Sequence, residues 1–356
     1  MATCFSLSPF GSPAVAQVTS LSHLYVFGDS LSDSGNSGAN SFGLFTPPPY
    51  AQNRFTNGPV AVEYLWEKFN PGNNNFKPSL LGGTNFAIGG ASTGLSNQLE
   101  TGQFPGPPLN ALYANKGNAW QLDNLGQPSF DPATSLFMLW LFPNDPLVFQ
   151  STGGNSVGTY SGTPGGPIQF EQIPALAVDN IIGSLQELVG KGARKFFVVN
   201  SPDLGTTPLF ANTPNQAVMT DLSSDFNALL ESSLASYASA TPQVSIRTFK
   251  VDQLLNSVIA NPSAYGFTNV SSPCFTMLTV CPNPNDYLFW DQLHPTTKAH
   301  GYLADAFYST VYTPPSTPVP GPLPAAGGLA ALGWSRRLKQ RLRRREHGLA
   351  ARRVGR

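Results

Sequence analysis

The sequence has little histidine, little cysteine and few charged residues. Its 356 residues include 4 histidines and 3 cysteines, and only 11% of them are charged. With so few His and Cys side chains, no cluster has the spacing of a metal site. We therefore expect neither a metal ion nor another cofactor. The shortage of histidine also leaves few candidates for a general base.

Glycine, proline and apolar residues are plentiful. The chain contains 34 glycines and 33 prolines, which imply many turns, and 41% of its residues are hydrophobic, enough for a buried core. Segments with strand and helix character alternate along it. Strands are predicted at 24–27, 136–141, 195–200 and 244–248, and helices near 59–69, 173–191, 216–239, 250–260 and 296–312. This alternation predicts an α/β fold whose parallel sheet is covered on both faces.

The first candidate for catalysis follows the first predicted strand. Residues 24–27 run directly into Gly28, Asp29 and Ser30. A glycine at the end of a buried strand permits a sharp turn and leaves the next hydroxyl at the carboxyl edge of the sheet. A serine in that position can attack a substrate if a base is near. Alone the pattern is weak, because Gly-Asp-Ser triplets are common in turns.

A possible base stands near the other end of the chain. Among the histidines, His294 is preceded three residues earlier by Asp291. A turn would let this carboxylate hydrogen-bond the imidazole and fix its tautomer. An isolated Asp-x-x-His more often caps a helix, but together with the serine it predicts a catalytic pair. His300 and His347 have no partners that would indicate zinc.

Two further segments offer donors for an oxyanion. Residues 85–91 form a strand-like run that contains Gly89 and Gly90, and a backbone N–H there suits the role. Residues 136–145 form a buried strand that ends in Asn144, whose side-chain amide can reach the same cleft. Taken alone, either segment is more often a turn or loop without such a function.

Together these blocks resemble the GDSL family of lipases and esterases, the SGNH hydrolases, named for a Ser, Gly, Asn and His in four blocks. The similarity runs from about Leu24 to Tyr312 and includes residues 54–58 and 197–205. The resemblance implies a triad of Ser30, Asp291 and His294, and an oxyanion hole of Ser30 N–H, Gly89 N–H and Asn144, with Gly90 as the alternative to Gly89.

The resemblance also implies a fold and an activity. The fold is a flavodoxin-like three-layer α/β/α sandwich with a mainly parallel sheet. The activity is metal-independent hydrolysis of a small-molecule or lipid ester through an acyl-serine intermediate. A carbohydrate O-acetylesterase or an acyltransferase with the same triad is one alternative. A non-catalytic binding module displayed on the cell envelope is another.

The third block departs from the family pattern. The family reads Gly-x-Asn-Asp where this chain has Phe142, Pro143, Asn144 and Asp145. If the usual glycine adopts a positive φ or approaches the substrate closely, a phenylalanine would strain or crowd the oxyanion loop. Proline stiffens that loop further. Reduced activity or a restricted acyl pocket is the expected consequence.

Ser92 is a rival nucleophile. Residues 90–94 match Gly-x-Ser-x-Gly, the nucleophile elbow of α/β-hydrolases. That elbow needs a helix directly after the serine, and residues 95–108 make a poor helix because they contain several Gly and Pro. The match is better explained as a by-product of the glycine-rich second block.

The ends of the chain predict targeting. Residues 1–20 are interpreted as a leader or the remnant of a signal peptide, 21–313 as the catalytic domain, and 314–356 as a Pro-rich linker with a basic tail. The tail resembles the PEP-CTERM sorting signal of bacterial exported proteins, although it lacks the usual glutamate. We expect a secreted or envelope-associated protein with membrane or sorting-machinery contact through this tail. Because the catalytic body is acidic, we expect no nucleic-acid partner.

Two internal features remain open. Cys274 and Cys281 lie seven residues apart in the loop before the Asp-x-x-His turn, where they could form a bracing disulfide or stay free thiols. Residues 151–169, rich in Gly, Ser, Thr and Pro, are predicted to be an exposed loop or lid.

Overall fold

The computed structural model describes residues 20–101 and 106–312. All described residues belong to one compact unit. The α-helices in this part are α1 (Asn36–Asn40), α2 (Ala61–Phe69), α3 (Gln98–Thr101), α4 (Asn118–Leu125), α5 (Asp145–Ser151), α6 (Ile173–Gly190), α7 (Gln216–Ala240), α8 (Val251–Ala260) and α9 (Thr297–Val311). The strands are β1 (His23–Gly28), β2 (Ser135–Trp140), β3 (Lys195–Val199), β4 (Ser245–Phe249), β5 (Asn269–Pro273), β6 (Phe275–Thr276), β7 (Thr279–Val280) and β8 (Tyr287–Phe289). None of the helices in these residues is long and apolar enough to cross a membrane.

The main sheet places β1 between two neighbours. Its order is β1-β2-β3-β4, and each adjacent pair is parallel. On the other side of β1, residues 84–88 add parallel hydrogen bonds, from Val26 N to Thr84 O (3.1 Å) and from Phe86 N to Val26 O (2.8 Å). The segments that follow 84–88, β1 and β2 therefore emerge side by side at the carboxyl edge of the sheet.

Side chains of the central strands alternate between two hydrophobic cores. In β1, Leu24 and Val26 pack in a core that includes residues of α2, α8 and α9, whereas Tyr25 and Phe27 pack in one that includes residues of α4, α6 and α7. β2 and β3 alternate in the same way. Burial on both faces explains why these strands are almost continuously apolar. The architecture is a three-layer α/β/α sandwich with a mainly parallel sheet, as predicted.

Each predicted strand and helix is present, with ends displaced by at most two residues. The predicted helix 173–191 is observed at Ile173–Gly190, and the predicted strand 244–248 at Ser245–Phe249. α4 and α5 were not predicted, because helices of eight and seven residues carry too few apolar repeats to stand out. Residues 151–169 form turns closed by a short antiparallel bridge. Their role as a lid stays a prediction.

A disulfide joins Cys274 to Cys281 and closes the small hairpin of β6 and β7. The disulfide excludes the alternative of two free thiols. The amides of Cys274 and Phe275 donate to the carbonyls of Phe289 (3.1 Å) and Trp290 (2.6 Å). The hairpin is thus fastened to the chain directly before the Asp-x-x-His turn. The predicted leader, apart from Ser20, and the predicted tail lie outside the described residues.

Candidate active site

The predicted catalytic side chains come together at the carboxyl edge of the main sheet. Ser30 lies two residues after β1, and Asn144 lies four residues after β2. Asp291 and His294 lie in the turn between β8 and α9. Parallel strands present the loops at their carboxyl ends on one side of a sheet, where α/β proteins bind ligands.

Ser30, His294 and Asp291 form a continuous hydrogen-bonded relay. His294 Nε2 lies 2.8 Å from Ser30 Oγ. His294 Nδ1 lies 2.8 Å from each carboxylate oxygen of Asp291. With the carboxylate accepting the Nδ1 proton, Nε2 is free to accept the serine proton, which is the geometry that general-base catalysis requires.

The turn that carries the base also orients its carboxylate. Asp291 Oδ1 accepts hydrogen bonds from the backbone amides of Leu293 (2.9 Å) and His294 (2.8 Å). Burial alone would raise the pKa of this carboxyl, but the neighbouring His294 and the two amides outweigh burial and hold that pKa below its usual value. Asp291 therefore stays ionised at neutral pH and can stabilise a protonated imidazole.

The turn that carries the nucleophile is fixed by a buried glutamine of α4. The side chain of Gln121 accepts a hydrogen bond from Gly28 N and donates one to Gly28 O, each 2.8 Å long. Beyond this clamp, Asp29 Oδ1 accepts from Leu31 N at 2.9 Å. These bonds leave Ser30 partly exposed at the tip of the turn. Gln121 was not predicted from the sequence, because no local pattern around residue 121 indicates a contact with residue 28.

The two candidates for the second oxyanion donor, Gly89 and Gly90, differ in how their backbone amides are bonded. The amide of Gly89 donates to Asp33 Oδ2 (3.0 Å) and to Ser37 Oγ (2.9 Å), so it is already occupied inside the protein. Within the described residues, the amides of Ser30 and Gly90 have no hydrogen-bond partner. Gly90 has φ +75°, a conformation that side chains rarely adopt. The geometry therefore favours the alternative, Gly90, over Gly89.

Gly89 has a different, structural reason to be glycine. A Cβ at this position would lie 2.2 Å from the ring of Phe55 and 2.8 Å from Ser37 Oγ. The ring of Phe55 in turn packs 5.2 Å from the imidazole of His294, centre to centre. The missing side chain at position 89 thus allows an aromatic ring to approach the base.

Asn144 is placed next to the glycine pair. Its Nδ2 donates to the carbonyl of Ala91 at 3.1 Å, which leaves one amide hydrogen for another acceptor. The carboxylate of the next residue, Asp145, accepts hydrogen bonds from the backbone N of Thr93 (3.0 Å) and from the Thr93 hydroxyl (2.5 Å). Burial raises the pKa of Asp145 to about 7 against these bonds. The second and third blocks are thereby tied together beside Ser30.

A network of polar side chains beneath the site also went unassigned in the sequence. Asp33 accepts the amides of Gly35, Asn36 and Ser37 at the start of α1, besides that of Gly89. The Asn36 side chain donates to the carbonyls of residues 85 and 87. The signal was available, since Asp33 and Asn36 belong to the polar run after Ser30, but their targets lie about fifty residues away.

The rival nucleophile Ser92 and the histidine His300 are both held inside the fold. Ser92 is fully buried, and its hydroxyl donates to the carbonyl of Ser96 at 2.6 Å. No helix follows it directly, because α3 begins at Gln98. His300 is buried in α9, where burial lowers its pKa to about 3 and its Nδ1 accepts from Ala61 N. Both residues are structural.

The departure at Phe142 has the expected backbone conformation but not the expected side-chain position. Its φ is +138°, in the region that disfavours a side chain. Its ring, however, is fully buried and stacks on Phe226 of α7, with centroids 3.9 Å apart. The ring points into the core behind the loop. This position favours backbone strain over crowding of the acyl pocket as the effect of the phenylalanine.

The fold and the relay are typical of a serine hydrolase. Residues 24–307 match the model of the GDSL-like Lipase/Acylhydrolase family. The match covers more than half of the chain, and the protein belongs to this family.

Several known proteins are similar to this chain. The GDSL esterase/lipase EXL2 of Arabidopsis thaliana is 28% identical over 333 residues, which cover 80% of this chain and 86% of that protein. The phosphatidylcholine-sterol acyltransferase of Aeromonas hydrophila is 25% identical over 331 residues, covering 80% and 88%. A crystal structure of a catalytic mutant of Axe2, an acetylxylan esterase from Geobacillus stearothermophilus, covers 83% of this chain and 97% of its own, with 13% identity and a TM-score of 0.42.

Replacing Phe142 by glycine is expected to destabilise the protein without widening its ester preference. Relief of the positive φ would raise the free energy of unfolding by roughly 1–3 kcal/mol, but loss of a buried ring would lower it by roughly 3–5 kcal/mol. Urea unfolding should show a net loss of about 2 kcal/mol. Rates with p-nitrophenyl esters of increasing chain length should keep their order, because the ring does not face the cleft.

Phe142→Ala is the matched control for the backbone. It also removes the ring but keeps a Cβ at positive φ, so it should be no more stable than the glycine variant, the reverse of the usual order. A glycine variant that selectively gains activity on bulky esters would show that the ring does limit the acyl pocket.

Proposed function

We propose that the protein hydrolyses carboxylic esters through an acyl-enzyme formed on Ser30. The observation that carries this proposal is the relay from Ser30 Oγ through the imidazole of His294 to Asp291, with 2.8 Å at each link. The neighbouring imidazole and the hydrogen bonds to Asp291 outweigh its burial and hold its pKa below the usual value, so the carboxylate is ionised as its role requires.

In the first step His294 Nε2 accepts the proton of Ser30 while Oγ attacks the ester carbonyl. The charge that develops on the carbonyl oxygen is stabilised by the Ser30 amide, the Gly90 amide and the remaining Nδ2 hydrogen of Asn144. Collapse of the tetrahedral intermediate expels the alcohol, which takes the proton from His294. A water activated by the same histidine then releases the acid and restores Ser30.

The acyl acceptor need not be water. An acyl-Ser30 ester can equally react with an alcohol or a glycan hydroxyl, and the Aeromonas relative is named as an acyltransferase. We therefore keep O-acetylesterase or acyltransferase activity as a second candidate with the same residues. Transfer of the acyl group to an added alcohol would identify it. The assembled relay and the family assignment favour either enzyme over a non-catalytic binding module.

Replacement of Ser30 by alanine should abolish ester hydrolysis while the fold is kept. Turnover of p-nitrophenyl acetate should fall to the residual rate that binding and the oxyanion hole provide. A fluorophosphonate probe should label the parent protein and fail to label the variant. Circular dichroism would confirm that the variant is folded.

Ser92→Ala is the control, because the Ser92 hydroxyl contacts only backbone of its own turn. It should retain both turnover and labelling. Full turnover in Ser30→Ala together with its loss in Ser92→Ala would reverse the assignment of the nucleophile.

Replacement of Asn144 by alanine should lower kcat by roughly 10²–10³ with little change in KM, the expected cost of one lost oxyanion donor. The reason is that the amide is engaged with the substrate oxygen only when charge develops on it. Steady-state kinetics with a short p-nitrophenyl ester would measure both parameters. A raised KM at unchanged kcat would make Asn144 a residue for ground-state binding instead.

For the ends of the chain we propose export and sorting. Residues 21–313 would be the catalytic domain, 1–20 a leader, and 314–356 a linker with a PEP-CTERM-like tail, as in a secreted or envelope-held bacterial protein. The disulfide between Cys274 and Cys281 supports an oxidising compartment. The run from Arg336 to Arg356 has ten basic residues against Glu346 alone, which favours a separate tail.

A variant ending at Tyr312 should hydrolyse short esters as fast as the full chain does. In the native host the full chain should be found outside the cytoplasm, with its tail removed or held at the membrane. Cell fractionation with antibodies against the catalytic domain and against the tail would measure this. Intact, tail-bearing protein found only in the cytosol would contradict the sorting proposal.

A further inference from the structure

The catalytic carboxylate has a partner outside the triad. The hydroxyl of Tyr50 donates a hydrogen bond of 2.8 Å to Oδ2 of Asp291, from a position 241 residues earlier in the chain. We infer that Tyr50 is a positioning residue that completes a four-membered relay, Tyr50–Asp291–His294–Ser30. This inference rests on the triad proposed above.

The loop that carries Tyr50 is fastened to the loop that carries the base. Thr56 Oγ1 donates to the carbonyl of Pro295 at 2.8 Å, and Asn57 Oδ1 accepts from Thr297 N at 2.8 Å. On its far side the loop is held by a two-pronged ion pair of Arg54 with Glu63 of α2, at 2.7 and 2.6 Å. These contacts make the position of Tyr50 relative to Asp291 a feature of the fold.

The ring of Tyr50 is packed so that its hydroxyl has little freedom to turn away. It meets Phe275 of the disulfide hairpin and Trp290 edge-on, with centroids 5.4 and 6.3 Å apart. Burial, then the charge of Asp291 and the hydrogen bond to it, raise the pKa of the phenol above its usual value. Tyr50 therefore remains a donor over the whole pH range in which the enzyme could work.

The Tyr50 hydroxyl completes the restraint of the carboxylate. Oδ1 of Asp291 accepts hydrogen bonds from two backbone amides. Oδ2 accepts one from the Tyr50 hydroxyl and also contacts the imidazole. With both oxygens held, the carboxylate plane stays aligned with Nδ1 of His294. The phenol also shares the negative charge of the carboxylate with the imidazole, so it moderates the stabilisation of protonated His294.

Tyr50→Phe removes only the hydroxyl and tests both effects. Losing a hydrogen bond to a charged acceptor should lower kcat about tenfold through misalignment. KM should stay unchanged, because Tyr50 touches the carboxylate and not the substrate. With the undivided charge of Asp291 facing the imidazole, the acidic limb of the kcat/KM profile should move to higher pH by roughly half a unit.

Among the described residues, Asp29 on the turn that carries Ser30 and His300 on α9 also interact electrostatically with His294. Both are present in the parent and the variant, so their titration cancels in the comparison. The matched control is Tyr302→Phe, which also removes a phenolic hydrogen bond, here 2.9 Å long to the carbonyl of Tyr265. It should leave kcat and the pH profile unchanged.

A double-mutant cycle with Asp291→Asn separates positioning from general damage. If Tyr50 acts through the carboxylate, Tyr50→Phe should have little further effect on kcat in the Asp291→Asn protein. An equal effect in both backgrounds would overturn the inference. So would an unmoved acidic limb in Tyr50→Phe, whether or not thermal unfolding shows a loss of stability.

The Ser30 and Tyr50 variants together distinguish the triad from its fourth member. If Ser30→Ala is inactive while Tyr50→Phe behaves like the parent protein, the triad stands and the fourth member is rejected. If Ser30→Ala is active, the relay itself is not the catalytic machinery, whatever the Tyr50 variant does.

Discussion

The hydrogen bond between Ser30 Oγ and His294 Nε2 joins residues 264 positions apart. It depends on how the rest of the domain holds the two turns that carry them. One partner follows the first strand of the sheet and the other precedes the last helix. Neither turn can orient its side chain alone, because each is held by residues distant in sequence. Gln121 holds the strand end before Ser30, and Thr56 holds the turn after His294.

Buried polar side chains around this bond join loops that are distant in sequence. Asp33 collects four amides, and Asn85 donates to the carbonyl of Ser32 and to the hydroxyl of Ser34. Such bonds are costly to leave unmade in a dry interior. They convert loops without regular structure into a rigid frame, which is what a preorganised oxyanion hole needs.

Much of this could be read from the sequence, for physical reasons. Strands buried on both faces are continuously apolar, so 24–27 and 136–141 were predictable, and a glycine followed by a serine at a strand end marks an exposed hydroxyl. The choice between Gly89 and Gly90 was not predictable. It depends on whether an amide points toward Asp33 or toward the cleft, which is a backbone direction set by tertiary contacts. Tyr50 was invisible for the same reason, since its partner is 241 residues away.

The stacked pair of Phe142 and Phe226 also bears on how this sequence can change over time. A lineage that regained the family's glycine at position 142 would leave the face of Phe226 against a void, and one that shrank position 226 would leave Phe142 with backbone strain and no compensating contact. Either first step is costly on its own. The two positions should therefore be substituted together among relatives, with an aromatic residue at 226 wherever 142 is aromatic, so that one departure from the family pattern fixes a second residue far from the catalytic relay.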